Sequence, residues 1–266
     1  MNLDAVYLYA LARRGVFEGL DLEGVEEGSR VTVLACGGID AIVSGVPRES
    51  YEASRDESSP AELEWVVPRA LRHDHVVRTA ASRAPVLPAR FGAVFSSEEA
   101  IARLVTYHEN TIIEFIDLIT GKAEWSVRAW YDPEAAADQL LAADPGLAAR
   151  HARLPASSGA RFFAEKRLRE DARAAARGAA RAAARAVRAG LASSDVCEVS
   201  LRRPDPSGRE MILNLACLLD DSQAACQLAT ARDLALAAGP PGLEFEADGP
   251  WPAFHFCPAL NLDGAA

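Results

Sequence analysis

RFFAEKRLREDARAAARGAARAAARAVRAGLA, residues 161–192, is the stretch from which the fold is read. Alanine and arginine both have high helix propensity, so it predicts one long helix. Toward the N-terminus, Ala123 to Tyr131 alternates as a strand, with Trp125, Val127 and Ala129 on one side. Asp132-Pro133 then starts a short helix to about Ala143. The polar stretch with Pro145, Gly146, Pro155, Ser157, Ser158 and Gly159 reads as a linker or an irregular surface excursion. Toward the C-terminus come a strand at Val196 to Leu201, a turn at Pro204 to Gly208 and a strand at Met211 to Leu219. Asp220, Asp221 or Ser222 caps a helix to Ala238, which Gly239-Pro240-Pro241-Gly242 stops before a last strand, Leu243 to Ala247. This order, β-α-β-β-α-β, is that of a ferredoxin-like unit.

The first half is compatible with a modified version of that layout. Val6 to Ala10 is a run of β-formers. Val31 to Cys36 and Ile39 to Val43 flank Gly37-Gly38, which favours a hairpin. Residues 47–60 read as a surface loop. Ser59-Pro60-x-Glu62 fits a helix start, and Leu63, Val66, Val67, Ala70, Leu71, Val77 and Ala81 follow at helical spacing. Pro68 implies a kink, or a helix that begins near it. Pro85 to Phe95 reads as an extended edge or rigid crossover, because proline cannot donate to a sheet ladder. Ser96-x-x-Glu99 caps a long helix whose apolar stripe includes Ile101, Leu104, Ile112, Phe115 and Ile119, and Gly121 ends it. The expected fold class is α+β: two modified ferredoxin-like domains, with helices covering one face of mostly antiparallel sheets. The boundaries are 1–121, 122–248 and a Pro/aromatic tail, 249–266, that packs back.

The chain has 266 residues, half of them hydrophobic, enough for two modest cores. No apolar run reaches the length of a membrane span, and residues 1–20 lack the basic start of a signal peptide. Five cysteines, odd in number and widely spaced, read as buried thiols of a reducing compartment. The net charge of −10 disfavours a general nucleic-acid binder. That charge is uneven. Residues 161–192 carry 9 basic and 3 acidic side chains, residues 1–160 carry 15 and 24, and residues 193–266 carry 4 and 11. A basic helix thus lies between acidic segments, and it could dock intramolecularly or face an acidic partner.

The chain contains no dinucleotide fingerprint, phosphate-binding loop, zinc-protease motif or nucleophile elbow, so no catalytic, cofactor-binding or metal residue is assigned. His73-x-His75 would point its two imidazoles apart on a helix, and His108 sits on an apolar stripe. Arg90, in Arg90-Phe91-Gly92, could contact a ligand phosphate, or pair with a buried carboxylate while Phe91 enters the core. Arg169, Arg173, Arg177, Arg181 and Arg185 stand four residues apart, so their row drifts about 40° per step around the helix. Ala172, Ala175, Ala176, Ala179, Ala183, Val187 and Leu191 offer a small-residue face for close packing. The arginine row is either a solvated face or an assembly surface matching an acidic partner. The tail Gly249-Pro250-Trp251-Pro252-Ala253-Phe254-His255-Phe256 would seal a domain or the seam between domains, or serve as a docking peptide.

Five segments together carry a resemblance. They are Val6-Tyr7-Leu8-Tyr9-Ala10; Trp65 through His73 with Val76; Val86 through Phe95, containing Arg90, Phe91 and Gly92; Gly121-Lys122-Ala123-Glu124-Trp125-Ser126-Val127-Arg128; and the ending with Trp251 and Pro252. In this order they resemble the GvpL/GvpF family of gas vesicle proteins. Ala89, Ala93 and Ala253-Phe254 depart from the family's usual residues. The resemblance implies two modified ferredoxin-like domains and a non-enzymatic accessory or minor structural role in gas vesicle formation. It implies partners in the small hydrophobic shell protein (GvpA-like) and other gas vesicle accessory proteins, with no nucleic acid, no membrane insertion and no cofactor. It places the protein at the gas vesicle or in the cytoplasm. The family's shared segments are fold and interface markers, not catalytic residues. An uncharacterised enzyme, with a deep pocket around Arg90 or His108, and a ligand-sensing regulator are the alternatives.

Overall fold

The computed structural model describes residues 3–17, 20–52, 60–199 and 208–260. It divides into two compact units, Met1–Ala123 with Trp251–Ala266, and Glu124–Pro250. Each holds an antiparallel sheet with helices.

In the first unit, β1 (Ala5–Arg13) is followed by the hairpin β2 (Thr32–Cys36) and β3 (Ile39–Val46), turning at Gly37 with φ of 62°. Then come α1 (Glu49–Glu52), α2 (Pro60–Ala81), β4 (Val86–Pro88), β5 (Val94–Phe95) and α3 (Glu98–Ile119). The sheet order is β2-β3-β1-β4, with β5 also pairing β1. The proline-bearing β4 lies at the edge, where its missing donor costs no ladder bond. Ser59 lies outside the described residues, but the helix does open at Pro60. It runs through Pro68, which is exposed, so the carbonyl its ring leaves without a donor is on the solvent side. The cap of α3 is Ser97, one residue beyond the expected Ser96; its hydroxyl accepts from the Ala100 N–H at 3.3 Å.

The register of β1 against β3 shifts between Leu8 and Ala10, so Tyr9 is the extra residue of a bulge. Tyr7 and Tyr9, two residues apart on the strand, both face α2, where each meets His73. The opposite face carries α3, to which Arg13 reaches at Asp117 and Gly38 at Glu109. Helices thus cover both faces of this sheet, not one. The sequence of β1 is consistent with that, because Tyr7 through Ala12 are all buried.

The second unit contains β6 (Lys122–Tyr131), α4 (Pro133–Ala143), α5 (Pro145–Ala152), α6 (Ser158–Gly190), β7 (Asp195–Glu198), β8 (Glu210–Asp220), α7 (Ala224–Ala238) and β9 (Glu244–Trp251). A single 3₁₀ turn, Phe254–Phe256, follows. The sheet order is β7-β8-β6-β9. Helix α5 replaces the expected linker. Its start repeats that of α4, because Asp144 accepts from the Leu147 N–H as Asp132 does from Glu134 and Ala135, and proline follows in each case. Asp220 does not cap α7; it accepts from Ser222 in a local turn, and Gln223 takes the cap position. Most of the turn expected at 204–208, and Leu201, fall outside the described residues.

In the core of this unit, α6 contributes mostly small side chains. Ala172, Ala176, Ala180, Ala183, Ala184 and Val187 form the buried face of α6. Ala175 is exposed and Ala179 half-buried, so Ala180 and Ala184 take the places expected for them. A Cβ added at Gly190 would lie 2.7 Å from Leu234 Cδ1 on α7, which shows how closely the two helices approach.

Candidate functional site

Several family segments meet around α2. The Gly92 N–H donates to the Tyr7 hydroxyl at 2.9 Å, and Tyr7 Oη lies 3.0 Å from His73 Nδ1. The Tyr7 hydroxyl thus joins the Gly92 backbone to the buried imidazole of His73. Burial drives the His73 pKa down to about 4, against smaller opposing effects of the Ala89 backbone and Asp74. The ring stacks on Tyr9 at 5.8 Å and meets the edge of Phe91 at 5.8 Å. Tyr9 accepts from the Val25 N–H at 2.7 Å and bonds Ser44 Oγ at 2.8 Å, and burial pushes its phenol up to about 12.

Beside this cluster is a buried ion pair. Arg69 donates from Nε and Nη2 to the two oxygens of Glu26, at 2.8 and 2.7 Å, and Tyr51 donates to the same carboxylate at 2.9 Å. Burial alone would raise the Glu26 pKa, but the bonds from Arg69 and Tyr51 outweigh it and hold the carboxyl below its ordinary value. The Arg69 guanidinium also covers the Trp65 ring at 4.3 Å. These groups tie the 20–31 loop, α1 and α2 together. Phenols pushed upward and a histidine held neutral suit a polar lock more than a nucleophile or a general base near neutral pH.

The C-terminal motif packs in the same unit. Arg78 of α2 lies over the Trp251 ring at 3.8 Å, Pro252 is buried, and Phe254 packs against the core. Trp125, in β6, lies against Gly249; a Cβ there would be 3.0 Å from the indole.

The arginine row of α6 divides in two. Arg169 reaches Asp138 at 2.6 Å and Arg173 reaches Glu134 at 2.6 Å, both acids standing on α4. Arg177, Arg181 and Arg185 are exposed, and none has a carboxylate within ion-pair distance among the described residues. Beyond them Arg188 pairs with Glu198 at 2.6 Å.

A family model described as gas vesicle synthesis protein GvpL/GvpF matches residues 5–258. The chain belongs to the GvpL/GvpF family. Gas vesicle protein L of Streptomyces sp. (strain CB03234) is 26% identical over 259 residues, 97% of this chain and 94% of that protein. Gas vesicle protein F of the same strain is 26% identical over 226 residues, 85% of this chain and 87% of that one. The crystal structure of the gas vesicle protein GvpF from Anabaena sp. PCC7120 has a TM-score of 0.67 at 17% identity, covering 96% of this chain and 99% of that one. That of GvpF from Microcystis aeruginosa has a TM-score of 0.63 at 18% identity, covering 96% and 100%. The shared fold is a mixed α/β one with two antiparallel sheets and helices.

Membership in the GvpL/GvpF family supports a gas vesicle accessory role and argues against an enzyme. Within this GvpL/GvpF chain, Arg90 does not pair with a buried carboxylate; its side chain is exposed and has no ion pair among the described residues. Phe91 does not enter the core either. It is 37% exposed and its ring meets Tyr7 at a tilt and His73 edge-on. The functional part of Arg90-Phe91-Gly92 is the backbone of Gly92, whose φ of 86° suits glycine. His73 and His75 diverge, one buried and one exposed, and no group of metal-holding side chains occurs among the described residues. Among the described residues no helix is long and apolar enough to cross a membrane. Surface grooves of about 360–410 Å³ occur on the second unit. Sequence reasoning missed the Glu26–Arg69–Tyr51 lock. Its one visible signal was the four-residue spacing of Trp65, Arg69 and His73 on a helix.

Proposed function

We propose that this protein is an accessory or minor structural component of gas vesicle formation that binds the small hydrophobic shell protein and other gas vesicle accessory proteins. The match to the GvpL/GvpF model over residues 5–258 carries the reading. The names of its relatives, gas vesicle proteins L and F, support it. The protein works at the vesicle or in the cytoplasm around it. Each unit is a modified ferredoxin-like module. Supporting this, both sheets run second-third-first-fourth in strand order, and among the described residues 14–31 a loop replaces the first crossover helix. The basic face of α6 is the assembly surface, and the packed segments around Tyr7, Trp125 and Trp251 hold their own units together.

The test is co-expression of the full chain with the shell protein, followed by affinity capture and flotation of vesicles. Capture of the shell protein and recovery with floated vesicles are expected. No association under gentle, low-salt conditions would overturn the proposal.

A further inference from the structure

The tertiary structure divides the arginines of α6 by their partners. Arg169, Arg173 and Arg188 are each used within the fold. Among the described residues Arg177, Arg181 and Arg185 have no ion pair, and one long hydrogen bond, 3.4 Å, runs from Arg181 Nε to the Arg177 carbonyl. All three line one groove of about 360 Å³ between α6 and the start of β8, whose apolar wall includes Met211 and Ile212. One carboxylate, Glu210, lines the groove, and it accepts from the Tyr131 hydroxyl at 3.3 Å. Among the described residues the groove thus holds Arg177, Arg181 and Arg185 in a row, with Arg188, already paired with Glu198, beside them and Glu210 as the lining acid, in a chain whose net charge is −10.

We infer that this groove docks an acidic amphipathic helix of a partner protein, with carboxylates four residues apart meeting Arg177, Arg181 and Arg185. The inference rests on reading α6 as an assembly surface and specifies the chemistry of what it binds. Successive arginines are about 6 Å apart along the helix axis, and Glu or Asp at i, i+4 and i+8 of a second helix repeats that spacing. Rows of four-residue spacing are also the ridges by which helices interlock. Each guanidinium fork matches one planar carboxylate, and Met211 and Ile212 supply apolar contact for the partner's adjacent side chains. Charge complementarity favours protein over nucleic acid. Glu210 and the acidic remainder of the chain oppose a continuous polyanion, and the groove's ring, Tyr131, is 1% exposed and offers no face for base stacking.

The experiment uses the full chain and two labelled helical peptides of about 20 residues, one with Glu at i, i+4 and i+8 and one with Gln there. Fluorescence anisotropy is read at low and high salt. Binding of the Glu peptide is expected, weakening with salt and falling at least about tenfold in R177Q/R181Q/R185Q. R169Q/R173Q, whose arginines are already engaged, should keep binding within about twofold. Circular dichroism confirms that both variants are folded, and the single reversal R181E should weaken binding in the same direction as the triple variant. Equal binding of the Gln peptide, equal binding by the triple variant, or displacement of the peptide by tripolyphosphate or a single-stranded oligonucleotide at equal charge concentration would each overturn the inference. Shell-protein capture that survives in the triple variant, with peptide binding lost, overturns only the claim that α6 is the assembly surface. Failure of the wild-type chain to capture shell protein, with peptide binding intact, overturns only the gas vesicle role.

Discussion

Tyr7 and His73, 66 residues apart in sequence, share a hydrogen bond of 3.0 Å in the core of the first unit. The Gly92 N–H donates to the same hydroxyl at 2.9 Å. Three segments that look unrelated in sequence thereby become one network.

The network makes stability depend on pH. His73 has a pKa near 4 in the fold and near 6.5 when unfolded, so between these values the unfolded chain binds the extra proton. Stability is therefore full above about pH 6.5 and falls as pH drops toward 4, by about 3 kcal/mol in total. Urea unfolding at a series of pH values measures this. H73Q keeps an acceptor for Tyr7 and removes the titration, so its profile over the same window should be flatter; an unchanged slope would count against the assignment.

Glu26 contributes in a lower window. Its carboxyl pKa is held down in the fold, so its stabilisation is present above the unfolded carboxylate value and is lost as pH falls through the folded one. E26Q leaves the half-buried Arg69 without its counter-charge, at a cost of about 1–3 kcal/mol at pH 7. The double variant E26Q/R69M should recover part of that loss. A thermal denaturation cycle of the two singles and the double reads the coupling.

Gly92 tests the backbone at the motif loop. A Cβ there meets nothing within 4 Å, so G92A isolates the penalty of φ at 86° from any clash. The expected loss is about 1–2 kcal/mol, read as a lower urea midpoint with an unchanged slope.

Alanine packing in the second unit is tested by A176L against A174L. Ala176 is fully buried and Ala174 exposed, one on each side of α6. Overpacking at 176 should cost about 1–3 kcal/mol. The same side chain at 174 should change stability by less than about 0.5 kcal/mol. Equal melting temperatures for the two variants would contradict the helix orientation described above.

Much of the element order was legible because its signals are local. Asp132-Pro133, the Gly37-Gly38 turn and the alanine-arginine run each act within one or two turns of backbone. The missed helix α5 had the same Asp-Pro start, at Asp144-Pro145, but the prolines and glycines around it read as loop. The site was less legible. Nothing in the string around Arg90 tells that its guanidinium stays in water while the neighbouring Gly92 N–H does the bonding.

The sequence by itself determined that alternating apolar strands and amphipathic helices would form α+β units, that the helix over 161–192 would be basic, and which segments mark the family. Those properties depend on composition and short-range spacing. Only the tertiary structure decided that Glu26 meets Arg69, that Tyr7 meets His73, and that two arginines of the row are spent on α4 while three are not. Such pairings depend on which strand and helix faces lie together, which is set by the packing of segments far apart in the chain, where spacing along one segment carries no information.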